Sequence, residues 1–278
     1  MNGSSADFEN FGRLIEALTP WLDQVVIIGG WAPRLYRFHP LAQELDYPPL
    51  ATLDADVALP IGLQAIGQDI HERLTAAGFQ AEFLGHHKPP ATHYRLSDQT
   101  GGFYAEFLTP LVGSLDSRRG KKNATMRIAG VTSQRLRHVD LLLAAPWSVN
   151  LSVSEGLPFA KGTPVLIANP VSFLAQKLLV YPKRNRSERA KDILYIHDTL
   201  ETFGARIAAL RENWSNQIRP RVHATSLRVI ERATETLFGA LSDPVRQASR
   251  IAQPRTVTPE GIREVCALGL ARIFSPAD

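Results

Sequence analysis

Val25, Val26, Ile27 and Ile28 run straight into Gly29 and Gly30. Consecutive β-branched side chains favour extended backbone, and a run without a polar break predicts a buried strand. The glycine pair predicts a turn at its end that bulkier residues would not take easily. Residues 32–38 then read as a short helix with Pro33 in its first turn. A strand of this kind has to be covered by other elements, which the neighbouring segments supply.

Residues 6–19 carry Phe8, Phe11, Leu14, Ile15 and Leu18 at helical spacing after Ser4 and Ser5. In LDADVALP, Leu53, Ala55, Val57 and Leu59 alternate with Asp54, Asp56 and Ala58, the period-two pattern of a strand. Residues 62–77 return to helical periodicity, while QAEFLG, THYRLSD and GGFYAEFLTP read as short strands. TPVLIANP is the last convincing strand, and helices are expected over 171–180, 188–202, 204–217, 222–241 and 259–273. Pro182, Pro220, Pro244 and Pro254 separate them, and Thr258 with Pro259 opens the last. The expected class is α/β, with a mixed sheet domain over residues 1–165 followed by a mostly helical domain over 166–278.

A chain of 278 residues with 44% hydrophobic content is long enough for two modest cores. The single cysteine, Cys266, forms no internal disulfide, and no Cys and His residues group at zinc-ligand spacing. The first residues lack the basic and apolar regions of a leader, and no run of about 18 apolar residues occurs, so a cytoplasmic protein without a membrane partner is expected. The net charge is only +4, but basic residues gather at Arg118, Arg119, Lys121 and Lys122 and again at Lys183, Arg184, Arg186, Arg189 and Lys191. Such groups suit phosphate-bearing partners, although the first reads more simply as a solvated loop.

Asp54 and Asp56 stand two residues apart on a strand, so both carboxylates leave one face and can reach one cation or bridge two. Magnesium takes hard oxygen ligands of this type. Glu106, in YAEF, repeats the arrangement on a later strand. Three carboxylates on apolar strands repel one another unless a cation compensates them. Backbone N–H groups at Gly29 and Gly30 would approach phosphate oxygens without obstruction. Lys177 lies on an apolar helical face in FLAQKLLV, where it either snorkels from a core or reaches phosphates.

The order I-I-G-G, L-A-T-L-D-A-D-V, Y-A-E-F, P-V-S-F-L-A-Q-K-L-L-V and R-A-K-D, over about residues 20–200, resembles the nucleotidyltransferase superfamily. Within it the sequence is most similar to bacterial proteins allied to the AbiEii abortive-infection toxins. The resemblance implies magnesium, or manganese in its place, on Asp54, Asp56 and Glu106. It also implies a triphosphate contacted by Gly29, Gly30, Lys177 and Lys191, and transfer of NMP from an NTP to a hydroxyl with release of pyrophosphate. The acceptor would be RNA such as a tRNA end, a protein or a small molecule, and an antitoxin would be a candidate partner. The departures are the 24-residue step from Gly30 to Asp54, Gly30 in place of a serine, and Glu106 in place of an aspartate. They leave open the alternative of a nucleotide- or RNA-binding protein that keeps the fold without catalysis.

GSLDSRRGKKN has the wrong glycine spacing for a phosphate-binding loop, and Lys122 stands where a hydroxyl should hold magnesium. His86, His87 and His93 cluster around Pro89 and Pro90 without a carboxylate at ligand spacing, and are read as a loop and not a metal site. Arg95 is expected beside Glu106, paired with a carboxylate.

Overall fold

The computed structural model describes residues 3–85, 91–96, 102–113, 124–152, 162–252 and 255–275. Arg118, Arg119, Lys121 and Lys122, together with His86 and His87, lie outside the described residues. The chain forms two compact units, Met1–Phe38 with Ala51–Ala168 and His39–Leu50 with Asn169–Asp278.

The first unit opens with helix α1 (Gly3–Ala17), strand β1 (Val26–Ile28), helix α2 (Trp31–Tyr36) and strand β2 (Asp54–Ala58). Helix α3 (Ile70–Ala76) follows, then β3 (Phe79–Leu84), β4 (Ala91–Leu96) and β5 (Tyr104–Pro110). The unit ends with β6 (Thr125–Ile128), β7 (Val131–Leu136), α4 (Val139–Leu142), β8 (Trp147–Leu151) and β9 (Thr163–Ile167). The strands form one mixed sheet in the order β3-β4-β5-β2-β1-β9-β8, with β7 on the far half of β5 and β6 paired to β7. β1 is antiparallel to β2 and parallel to β9, and all its residues are buried, as a strand with neighbours on both edges requires. The apolar layer includes Phe11, which stacks on Trp31 at 4.0 Å, and Phe103, edge-on to Trp31 at 6.2 Å.

Two departures from the sequence pattern have local causes. The helix expected over 62–77 is confined to Ile70–Ala76, because Gly67 takes a positive φ of 66° and Asp69 starts the helix in a capping box with Glu72. The residues ahead of it are pinned by Trp21, whose Nε1 donates to the Gln64 carbonyl at 2.8 Å. The β6–β7 hairpin turns through Ala129 and Gly130 with φ of 44° and 87°. An alanine at positive φ hides from sequence the glycine or asparagine pair that announces such a turn.

The second unit contains α5 (Pro170–Val180), α6 (Arg186–Thr202), α7 (Ile207–Asn213), α8 (Ala224–Phe238), α9 (Asp243–Ile251) and α10 (Pro259–Phe274). The segment expected as one helix over 204–217 is a 3-10 turn, then α7, then a π turn over Trp214–Ile218. Thr258 caps α10 by accepting from the Gly261 N–H at 3.0 Å. Residues 39–50 pack here as a strap. The Gln43 N–H donates to Thr202 at 2.9 Å, the Tyr47 hydroxyl meets Glu201 at 3.4 Å, and the Arg255 guanidinium lies 4.1 Å from the Tyr47 ring centroid. Arg255 also donates to Asp198 Oδ1 at 2.6 Å, where His197 Nδ1 approaches to 3.0 Å. Among the described residues no helix is long and apolar enough to cross a membrane.

Candidate active site

β2 and β5 run parallel, with Asp54 opposite Tyr104 and Asp56 opposite Glu106. β4 runs antiparallel on the other side of β5, with His93 opposite Glu106 and Arg95 opposite Tyr104. Directly paired residues share a sheet face. One face therefore carries the row Asp56, Glu106, His93 and, beside it, the row Asp54, Tyr104, Arg95. The opposite face carries Ala55, Val57, Ala105, Phe107 and Tyr94, all buried. The alternation in LDADVALP and FYAEFL separates the two faces, one polar and one facing the core.

β1 brings the glycine turn to the same place, because Ile28 pairs with Asp56. Gly29 follows at a φ of 59°, and a Cβ there would fall 1.9 Å from Asp56 Oδ2. Both its conformation and its clearance demand glycine. Gly30, at a φ of −69°, carries no such conformational demand and starts the six-residue α2. Gly29, Asp56 and Glu106 thus follow one another across three strands, with Asp54 one pleat away.

Burial raises the Glu106 carboxyl to about 8, and the charges of Asp56 and then Asp54 add to the effect. Burial likewise pushes the Tyr104 hydroxyl up, with Asp54, Glu106 and Asp56 adding and Arg95 opposing. His93 Nε2 lies 2.5 Å from Glu106 Oε1. Its ring stacks on Tyr104 at 4.2 Å with 13° between the planes, and Arg95 lies 5.2 Å from the Tyr104 centroid. Arg95 Nε meets Glu82 Oε2 at 2.5 Å, the carboxylate partner expected for it. The Thr52 hydroxyl donates to Asp54 Oδ1, and buried Arg34 donates to the Thr52 carbonyl at 3.4 Å and to Asp7 at 3.3 Å.

Among the described residues no group of three or more His, Cys, Asp or Glu side chains stands arranged to hold a metal ion. Asp54, Asp56 and Glu106 are nevertheless adjacent hard-oxygen donors, the chemistry that magnesium or manganese takes. Their mutual charge, which adds to burial in raising Glu106, is what a divalent cation would neutralise.

Lys177 on α5 and Lys191 on α6 belong to the second unit. Lys177 is only 5% exposed, and its Nζ meets Asp192 Oδ1 at 2.6 Å. Arg184 Nε holds the other oxygen of Asp192 at 3.1 Å. Lys191 lies 5.9 Å from the Tyr195 centroid. The sequence reading missed His93, Tyr104 and Thr52 as neighbours of the carboxylates. The available signals were that His93 and Arg95 share a face of a strand already expected beside Glu106, and that Tyr104 stands two residues from Glu106 on its own strand.

One polar strand face thus carries paired carboxylates beside a glycine turn. Residues 9–219 match the family model described as Nucleotidyltransferase, and the chain belongs to that family. Among solved structures it is similar to MenT4, a nucleotidyltransferase toxin from Mycobacterium tuberculosis H37Rv. The identity is 12% and the TM-score 0.38, over 96% of this chain and 82% of that one. No curated protein matches the chain in sequence.

Proposed function

We propose that the chain is a magnesium-dependent nucleotidyltransferase of the cytoplasm. It would move NMP from an NTP to a hydroxyl of RNA, a protein or a small molecule and release pyrophosphate. The observation that carries this reading is Asp56, with Glu106 beside it on the neighbouring strand and the bare Gly29, in the turn after β1, against its carboxylate. Asp54, Asp56 and Glu106 are the residues that would hold magnesium, or manganese in its place. When bound, such a cation neutralises triphosphate charge and makes the acceptor hydroxyl more acidic.

The remaining roles belong to the chain. Gly29 and Gly30 keep side chains away from the phosphates and leave backbone N–H groups to face them. Glu106, where it is not a metal ligand, takes the acceptor's hydroxyl proton on its carboxylate. The α/β domain, residues 1–165, would carry this chemistry. The helical domain, residues 166–278, would supply Lys177 and Lys191 to the β- and γ-phosphates, with Asp192 fixing the Lys177 ammonium. Lys183, Arg184, Arg186 and Arg189 favour an RNA acceptor, whose backbone they would neutralise. The likeness to abortive-infection toxins makes an antitoxin a candidate partner, tested by growth arrest on expression and its relief by a neighbouring gene.

The deciding assay is pyrophosphate release from labelled NTP with magnesium. It should be lost on Asp54→Ala with Asp56→Ala, and activity surviving that double change would sink the assignment. Nucleotide binding that needs no divalent cation and yields no pyrophosphate would select the non-catalytic binding protein instead.

A further inference from the structure

Helix α8 shares a groove of about 400 Å³ with the end of α5 and the 3-10 turn that follows it, all within the helical unit. Residues four apart stack along a helix, so Val229, Ala233 and Leu237 line the groove as one row and Arg228 and Arg232 lie in the next. Leu178, Tyr181 and Pro182 make the opposite wall. Folding leaves three things unsatisfied there. Val229 stays 42% exposed, although an apolar side chain gains only by being covered. Arg228 and Arg232 are like charges four apart, which destabilises a helix, and among the described residues neither guanidinium makes an ion pair, with Glu231 and Glu235 of the same helix or with any other acid. Tyr181 is 7% exposed with Arg189 5.4 Å from its ring centroid, yet its hydroxyl makes no hydrogen bond among the described residues. A hydroxyl left without a partner in such a place is costly.

We propose that this groove is a binding site for a small organic anion with an apolar body. The body packs on Leu178, Val229, Ala233 and Leu237, and the acid group is held by Arg228 and Arg232 with the Tyr181 hydroxyl as a further donor. Apolar walls with a few polar groups at one side are what small-ligand sites are made of, and the volume is of that order. A partner helix, about 10–12 Å across with its side chains, would need far more room. The site uses neither the carboxylates of the sheet nor a metal ion, so it stands apart from the transfer chemistry.

The test titrates two fluorescent probes into the full chain in EDTA, anilinonaphthalene sulfonate and phenylnaphthylamine, which share their rings and differ in the acid group. Wild type should bind one equivalent of the sulfonate saturably. Arg228→Gln with Arg232→Gln should weaken the sulfonate about 10-fold and leave the amine unchanged, and Tyr181→Phe should weaken the sulfonate about 3-fold. The double change breaks no ion pair, so the melting temperature should not fall. Arg246→Gln with Arg250→Gln, an equally spaced and exposed pair on α9, should change neither probe. Ala233→Phe should fill the groove and exclude both probes, and Val229→Glu, at an exposed position, replaces it if that variant does not fold. No sulfonate binding by wild type, equal loss of both probes in the Arg228 and Arg232 variant, or equal weakening by the α9 pair overturns the site. So does binding that survives the groove-filling change. Pyrophosphate release is measured separately, so either reading can fail without the other.

Discussion

Replacing Glu106 by glutamine isolates the electrostatic cost of the site. The carboxyl titrates at about 8 in the folded protein against an ordinary value of 4.5. Below pH 4.5 both folded and unfolded chains hold the proton, and the stability this gives is fully present. Between 4.5 and 8 the folded protein keeps a proton that the unfolded chain has released, so stability falls as pH rises, by about 1.4 kcal/mol per pH unit. The whole interval amounts to about 5 kcal/mol at most, and water reaching the 22% of the side chain that is exposed makes the loss smaller. Urea unfolding in EDTA at pH 5.5, 7 and 8.5, followed by tryptophan fluorescence, measures the effect through buried Trp21 and Trp31 of the same unit. Wild type should lose stability across that series relative to Glu106→Gln, which cannot ionise. Excess magnesium should remove the difference at pH 8.5. Parallel profiles for the two proteins in EDTA would refute the raised carboxyl and, with it, the burial and neighbouring charge behind it.

Gly29→Ala should cost about 1–2 kcal/mol from its left-handed backbone alone, with more from collision against Asp56, whereas Gly30→Ala should be nearly neutral; melting temperatures compare them. Asp192→Asn strands the buried Lys177 ammonium and should lower stability by about 3 kcal/mol or more in urea. Lys177→Met should cost less, because Arg184 still holds Asp192. Arg255→Ala removes the contacts to Asp198 and Tyr47 and should cost about 2–4 kcal/mol locally. Hydrogen exchange at the Gln43 amide, bonded to Thr202, should then speed up while amides of β1 and β2 keep their protection.

What could be read from the sequence follows how local its cause is. β1, β2 and β5 are legible because their alternation, or its absence, records burial directly, and the carboxylates of Asp54, Asp56 and Glu106 interrupt it on one face. Gly29 is legible as a turn, but its clearance from Asp56 is a register effect that no local pattern carries. His93 falls both in the histidine- and proline-rich stretch that reads as a loop and in THYRLSD, which reads as a strand, and the residue sits inside β4. The hairpin at Ala129 was missed because its turn uses alanine at positive φ. Helix α9 was missed because exposed Arg246 and Arg250 dilute a short apolar stripe of Val245 and Ala248. The pairing of Lys177 with Asp192 depends on which faces of α5 and α6 meet, and spacing along the chain does not determine that.

The strap of residues 39–50 leads within a few positions to Thr52 and Asp54, yet its anchors are Glu201, Thr202 and Arg255. A growing chain on the ribosome therefore makes the aspartate pair long before it makes the residues that tether the segment ahead of it. Removing Arg255 takes away only the strap's contact through the Tyr47 ring and leaves the hydrogen bonds of Gln43 and Tyr47 to Thr202 and Glu201 in place.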